Sequence, residues 1–298
     1  MLKEEFLHYL KAERNYSDLT IKGYRDSLNF FAAYIEKQGR KIDWFSIQSG
    51  DIREWIINLM DNGSAISTVN TRLSALRAFY RFLNVEGRMK YDPTAVITGP
   101  KKPQTLPKFV KESLMDRLFD NIECPEKFRD IRDRLIVLTF YSTGIRLAEL
   151  IGLDVGDVDF FSHVMKVTGK RNKQRMIPFG NEMEKEMKHY LAYRTTEFPE
   201  AGEALFLNNK GKRVSRTMVT KIVKEKLGVV TTQKHLSPHI LRHSFATAMM
   251  NNGAEIESIK ELLGHKTLGT TQIYTHTTFE ELKRAYGQAH PRGEKKEK

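Results

Sequence analysis

The sequence predicts a mainly α-helical protein with one small antiparallel β-sheet, divided into two domains. Three observations carry that reading. Apolar residues recur at helical spacing through most of the 298 residues, and glycines stand where the periodicity stops. One stretch, SHVMKVTGKRNKQRMIPFG, shows instead two short β-type runs flanking a Gly-Lys-Arg-Asn turn, a hairpin signal. A proline-rich segment, DPTAVITGPKKPQTLP at 92–107, separates a shorter helical region from a longer one.

In the first region, 1–91, LKEEFLHYLKAERN is amphipathic, and three further helical stretches close at Gly39, Gly63 and Gly87. Four helices joined by short turns make a small all-α domain. In the fourth helix Leu73, Leu76, Tyr80 and Leu83 share one face, while Ser74, Arg77 and Arg81 share another. That basic stripe is either a solvated face or a track along a phosphate backbone. Residues 92–107 hold four of the nine prolines and read as an extended linker. The second domain, 108–298, opens with KESLMDRLFDNI and the apolar helix RDRLIVLTFYSTG, continues through the hairpin, and ends in further helices.

Composition narrows the class. At 40% hydrophobic and 29% charged residues, the chain is an ordinary globular protein rather than a disordered or fibrous one. A single cysteine, Cys124, excludes a disulfide framework and a cysteine-based zinc site. The start, MLKEEFLHYLKAER, has acids where a signal peptide needs an apolar run. The longest apolar stretch, LIVLTFY, is far too short to cross a bilayer, so a cytoplasmic protein without membrane partners is expected. The net charge of +12 is unevenly spread. Residues 1–100 hold 14 basic and 12 acidic residues, whereas 101–298 hold 35 and 25. A larger domain with a surplus of ten positive charges points to a polyanionic partner, most simply nucleic acid.

The segment LSPHILRHSFATAMMNNG begins with Ser237 at the N-cap and Pro238 in the first turn, and Gly253 closes the helix. His239, Arg242 and His243 fall within a 100° arc of it. The His-x-x-x-His spacing could hold zinc, but the acid of an HExxH enzyme is missing and no third ligand is evident. One buried histidine beside a surface arginine is the plain alternative. Similar groups recur at other helix ends. Arg146 stands two residues after a helix-ending glycine, with Glu149 three residues on, at the spacing of a simple i,i+3 pair. His265 follows Gly264 directly and precedes Tyr274 by nine residues, and the hairpin turn offers Lys170. Two arginines, a lysine, histidines and a tyrosine, without an acidic cluster for magnesium, suit phosphoryl transfer in which cationic side chains do the work of metals. No metal or nucleotide cofactor is expected.

The segments TGIRLAEL, TGKRNKQRMIP, SPHILRHSFAT and LLGHKTLGTTQIYTH resemble, in order and spacing, the signature boxes of the tyrosine recombinases, the phage-integrase family. The resemblance covers nearly the whole chain, and the tail AYGQAHPRG is most similar to the Xer subfamily of bacterial chromosome-maintenance recombinases. It implies an N-terminal helical DNA-clamping domain (1–91), a linker (92–107) and a catalytic domain (108–298) whose tail docks on a neighbouring subunit. It implies Tyr274 as the nucleophile that forms a 3′-phosphotyrosine bond, and Arg146 and Arg242 as clamps on the non-bridging oxygens. His265 would bond the same phosphate, His239 would exchange a proton with the tyrosine oxygen, and Lys170 would protonate the leaving 5′-hydroxyl. Glu149 and His243 match supporting positions. Ala148, Arg171 and Gly269 depart from the family's usual Ser, Gly and Ser, and none of these removes a reacting group.

The resemblance implies double-stranded DNA with a specific recombination site as substrate. It implies a tetrameric synapse as the working assembly, with a related partner recombinase and a DNA translocase as partners. Resolution of chromosome or plasmid dimers competes with integration or excision of a mobile element. A chain that starts directly with the clamp domain favours the first. A catalytically silent DNA-binding relative and a histidine-based metalloprotein are the readings from other classes. The complete reacting set opposes the silent relative. If the basic surplus contacts on the order of 6–10 phosphates, DNA affinity falls by roughly 10³–10⁵ between 50 and 200 mM salt, and a binding titration in salt checks this.

Overall fold

The computed structural model describes residues 1–102, 109–120, 127–169, 172–233, 235–264 and 276–293. Contacts divide the chain into two units, Met1–Thr105 and Leu106–Lys298. The first holds α1 (Leu2–Ala12), α2 (Asp18–Lys37), α3 (Ser49–Asp61) and α4 (Ile66–Val85), each where periodicity and the glycine stops place a helix. Ser17 caps α2, its Oγ accepting the Thr20 N–H at 3.3 Å. Leu73, Leu76, Tyr80 and Leu83 of α4 are buried, as the helical wheel requires. Around them is an aromatic core in which Phe79 meets Phe6 edge-on at 5.4 Å and Trp44 at 4.8 Å.

The opposite face of α4 is only partly the solvated stripe that the wheel suggests. Arg81 is exposed, but Arg77 is half-buried and donates to the Ile97 carbonyl. Ile97 is packed into the same core, and Asn70 Nδ2 donates to the Pro100 carbonyl at 3.0 Å. The Asp92 carboxylate closes a turn by accepting from the Thr94 N–H and hydroxyl. Residues 92–100 therefore belong to the first unit, and only the later part of 92–107 remains for a linker. The reason is the apolar anchor at Ile97, which turns a proline-punctuated strip into a cover for α4.

The second unit is built around α6 (Phe128–Thr143), which is buried on nearly every side. About it lie α5 (Glu112–Asp120), α7 (Leu147–Gly152), α8 (Asn181–Glu197), α9 (Arg216–Gly228), α10 (Pro238–Asn251), α11 (Ile256–Leu263) and α12 (His276–Ala289). The hairpin of β2 (Val164–Thr168) and β3 (Gln174–Pro178) forms as its sequence predicts, with Val167 opposite Arg175 and Thr168 opposite Gln174. A further strand, β1 (Val158–Asp159), extends the antiparallel order to β1-β2-β3. Two residues are too few to show alternation, so the sequence does not reveal it. Ser237 takes the N-cap position of α10, but its side chain makes no capping bond.

Residues 282–292 are seated within their own unit. Leu282, Tyr286 and Ala289 of α12 are buried. The His290 ring lies almost parallel to Tyr286 at 5.0 Å and stacks on Phe245 at 5.4 Å. Its Nδ1 accepts the Arg292 N–H at 3.0 Å, which leaves Nε2 to donate to the Tyr141 carbonyl at 3.1 Å. Burial pushes the His290 pKa down to about 3, with the Arg292 charge adding to the fall, so the ring is neutral at ordinary pH. No described helix is long and apolar enough to cross a membrane.

The two arginines of the α4 stripe should therefore separate. Arg77→Ala is expected to cost the first unit about 1 kcal/mol or more, because a covered carbonyl loses a charged donor. Arg81→Ala should stay within about 0.5 kcal/mol. Urea denaturation of both variants checks this.

Candidate active site

Two left-handed glycines set the frame of the site. Gly144 (φ 59°) ends α6, and a Cβ there would meet Phe245 Cδ1 at 2.6 Å and Leu263 Cδ2 at 2.8 Å. The close approach lets the end of α6 press against α10 and α11, which delivers Arg146 at the start of α7. Gly264 (φ 62°) ends α11, and a Cβ there would lie 3.2 Å from Arg175 Nη1. Each glycine precedes a candidate functional residue, Arg146 by two positions and His265 by one.

The last carbonyls of α11 are where the arginines meet. Arg175 Nε donates to the Leu262 carbonyl at 2.9 Å, Arg242 Nη2 to Leu263 at 2.7 Å, and Arg146 Nη2 to Gly264 at 3.0 Å. Three consecutive acceptors at a helix C-terminus are thus served by three guanidinium groups, from the N-cap of α7, from β3 and from α10. The end carbonyls of a helix lack partners within it and carry the negative end of its dipole, so cations are favoured there. Arg242 also donates through Nη1 to the Gly144 carbonyl at 2.6 Å. Burial lowers the Arg242 pKa to about 10, and the nearby Arg146 and Arg175 charges push it the same way while Glu149 opposes.

Beneath this row lies Glu149, its side chain 2% exposed. One oxygen accepts from Arg146 Nη1 at 2.8 Å and from Arg175 Nη1 at 2.9 Å. The other accepts the Arg146 backbone N–H at 2.8 Å and Arg175 Nη2 at 3.0 Å. Burial raises the carboxyl's pKa, but the Arg175 and Arg146 bonds outweigh it and bring the group down to about 2. The i,i+3 pairing of Arg146 with Glu149 therefore exists, and Glu149 also serves a second cation. Gly169, just before Lys170, lies against the same carboxylate, with a Cβ there 3.2 Å from Glu149 Oε1.

Arg146 keeps 39% of its side chain exposed beside this buried base, and His239, in the first turn of α10, is exposed. Arg242 is buried on the inner side of α10, whereas His243 points outward and is exposed. Lys170, His265 and Tyr274 lie outside the described residues. Among the described residues no group of three or more His, Cys, Asp or Glu side chains is placed to hold a metal ion. Arg175 is the residue that the sequence reading missed. Its signal was present but weak: it stands two positions before the inward Ile177, on the inner face of a strand. A charged residue in a five-residue strand reads more readily as solvent-facing.

Comparisons with known proteins bear on the family and the fold. The phage integrase family model matches residues 108–281, and the model of the phage integrase N-terminal SAM-like domain matches 4–87. The chain is 37% identical over 298 residues to tyrosine recombinase XerC of Staphylococcus carnosus, covering 99% of this chain and 98% of that protein. It is 36% identical to tyrosine recombinase XerC of Azotobacter vinelandii, covering 98% and 97%. Among solved structures, it is similar in fold to the XerH site-specific recombinase bound to palindromic difH substrate in a post-cleavage complex. The TM-score is 0.71 at 24% identity, covering 95% of this chain and 83% of that one. The integrase of the Tn1549 transposon, in complex with transposon right end DNA, also has a TM-score of 0.71, at 18% identity and coverage of 95% and 97%.

The Glu149 carboxyl titrates lower in the folded chain than its ordinary 4.5, so its contribution to stability is present above about pH 4.5 and is lost as the pH falls towards 2. The loss should reach about 3 kcal/mol. Urea denaturation of the wild type and of Glu149→Gln between pH 5 and 2 checks it. The variant should lack this acid limb and should start several kcal/mol lower at neutral pH, with two guanidinium groups left short of a counter-charge.

Proposed function

The chain belongs to the phage integrase family and is a site-specific tyrosine recombinase; from that premise we propose that it breaks and rejoins DNA at a specific site in the Xer manner, resolving chromosome or plasmid dimers during cell division. The observation that carries the reading is the convergence of Arg146 and Arg242 on consecutive carbonyls at the end of α11, one residue before His265. Two permanently charged forks that share one edge of the site suit the two non-bridging oxygens of a phosphodiester.

In this mechanism the Tyr274 hydroxyl gives its proton to His239 and attacks phosphorus. The bond from phosphorus to the 5′-oxygen breaks, and that oxygen takes a proton from Lys170. The phosphate is left as a 3′-phosphotyrosine ester, with Arg146, Arg242 and His265 holding its charge. The 5′-hydroxyl of a second strand reverses the step, expelling the tyrosine, and no nucleotide is consumed because the ester keeps the energy of the phosphodiester. Glu149 holds Arg146 in place, and His243 supports α10 from outside. Arg81, with less from Arg77, follows the phosphate backbone from the first unit.

Further recombinase subunits complete a four-subunit synapse, and a DNA translocase brings the sites together. The tail beyond Tyr274 joins the subunits. In the single chain α12 is seated in its own unit, so assembly trades contacts within a chain for the same contacts between chains.

The test begins by mapping the chromosomal site bound in cells and preparing it as a nicked duplex. Wild-type protein should leave a covalent adduct on it and Tyr274→Phe none, with binding retained. Arg146→Ala and Arg242→Ala should slow cleavage by at least about 10²–10³-fold. Lys170→Ala should recover selectively when the bridging 5′-oxygen is replaced by sulfur, because a thiolate leaves without protonation. An adduct in Tyr274→Phe would overturn the assignment of the nucleophile.

A further inference from the structure

Arg175 is 8% exposed and has no place among the reacting groups. Its fork is nevertheless fully directed. Both terminal nitrogens meet Glu149, at 2.9 and 3.0 Å, and Nε meets the Leu262 carbonyl at 2.9 Å. Through those bonds it joins three pieces of backbone that each lead to a candidate reacting group. Glu149 holds Arg146 through both the guanidinium and the backbone N–H. Gly169, which precedes Lys170, lies against the Glu149 carboxylate and Gly264, which precedes His265, lies against the Arg175 guanidinium itself. Arg175 itself stands on β3, opposite Val167 of the strand that leads into the Lys170 turn.

We propose that Arg175 is a positioning residue for strand cleavage, a buried fork that sets Arg146, the Gly169 backbone that precedes Lys170 and the Gly264 backbone that precedes His265 in one mutual arrangement. A buried ion pair is weak support for stability in general, since desolvation of both charges offsets most of their attraction. Its three-way geometry, by contrast, defines where each neighbour sits, and a planar fork does this where a lysine ammonium cannot. A displacement of about 1 Å at a reacting group costs on the order of 10²-fold in rate. Removing the fork should therefore act on the chemical step more than on DNA affinity. The inference rests on the recombinase reading above.

Arg175→Met removes the charge and the fork at similar side-chain length, and Arg175→Lys keeps the charge but not the fork. Each is assayed in the full-length chain on the nicked duplex that traps the wild-type adduct. Site affinity is measured by titration, and the rate of adduct formation is measured in single turnover at saturating protein, below the melting transition of each variant. Both variants should bind within about two-fold of wild type and cleave about 10- to 100-fold more slowly. If Arg175→Met loses its cooperative melt, Arg175→Lys, which leaves Glu149 its counter-charge, carries the test. In a double-mutant cycle with Glu149→Gln, the two losses should fall well short of multiplying, because both residues act through one carboxylate–fork contact. Wild-type rates in a folded Arg175→Lys or Arg175→Met would overturn the proposal, as would a loss confined to DNA affinity or fully multiplicative effects in the cycle. Absence of any wild-type adduct would instead overturn the recombinase reading itself.

Discussion

The second unit depends on one carboxylate. Glu149 sits almost fully buried and must stay ionised, since its two oxygens accept four donors between them from Arg146 and Arg175. A charge so placed is expensive unless every lone pair is used, and here the use of those lone pairs is what orders the surroundings. The carboxylate gives the start of α7 its direction, holds the exposed guanidinium of Arg146 by its inner edge, and locks Arg175 across to the end of α11. Removing it would leave Arg146 and Arg175 short of their shared counter-charge.

The end of α11 is the matching acceptor. Its final carbonyls would otherwise lie unsatisfied beside the packed side chains of α6 and α10, and Arg175, Arg242 and Arg146 meet them in sequence order. Because a guanidinium has five N–H donors, each arginine can satisfy the fold with part of its fork and still present the rest elsewhere. This division of labour lets groups of one sign be gathered tightly over the single carboxylate of Glu149. Arg242, although buried, remains charged at neutral pH, because burial and the Arg146 and Arg175 charges lower its pKa only to about 10.

Much of this was legible in the sequence. The four helices of the first unit, the hairpin, and the buried row Leu73, Leu76, Tyr80 and Leu83 follow from period and stop signals, which are local. Arg146, Glu149 and Arg242 stood out because helix ends and short spacings are local too. Arg175 did not, because its partners lie 26 and 87 positions away and its burial exists only once β3, α7 and α11 are assembled. Arg77 misled for a related reason. A helical wheel says which way a side chain points from its own axis, not which later segment folds over it. The same holds for α12, whose apolar face was plain in the sequence while its seat against α10 was not.

The packing of residues 92–100 onto α4 shortens the stretch of chain between anchored points. Among the described residues, Pro100 is anchored in the first unit by the Asn70 side chain, and Val110 in the second, where its N–H donates to Ser244 Oγ at 2.8 Å. Ten links separate them, a span of at most about 35 Å when fully extended. Two points joined by ten links can part no further than that, so the seating of Ile97 against α4, and not the number of prolines, sets the reach of the chain between these two anchors.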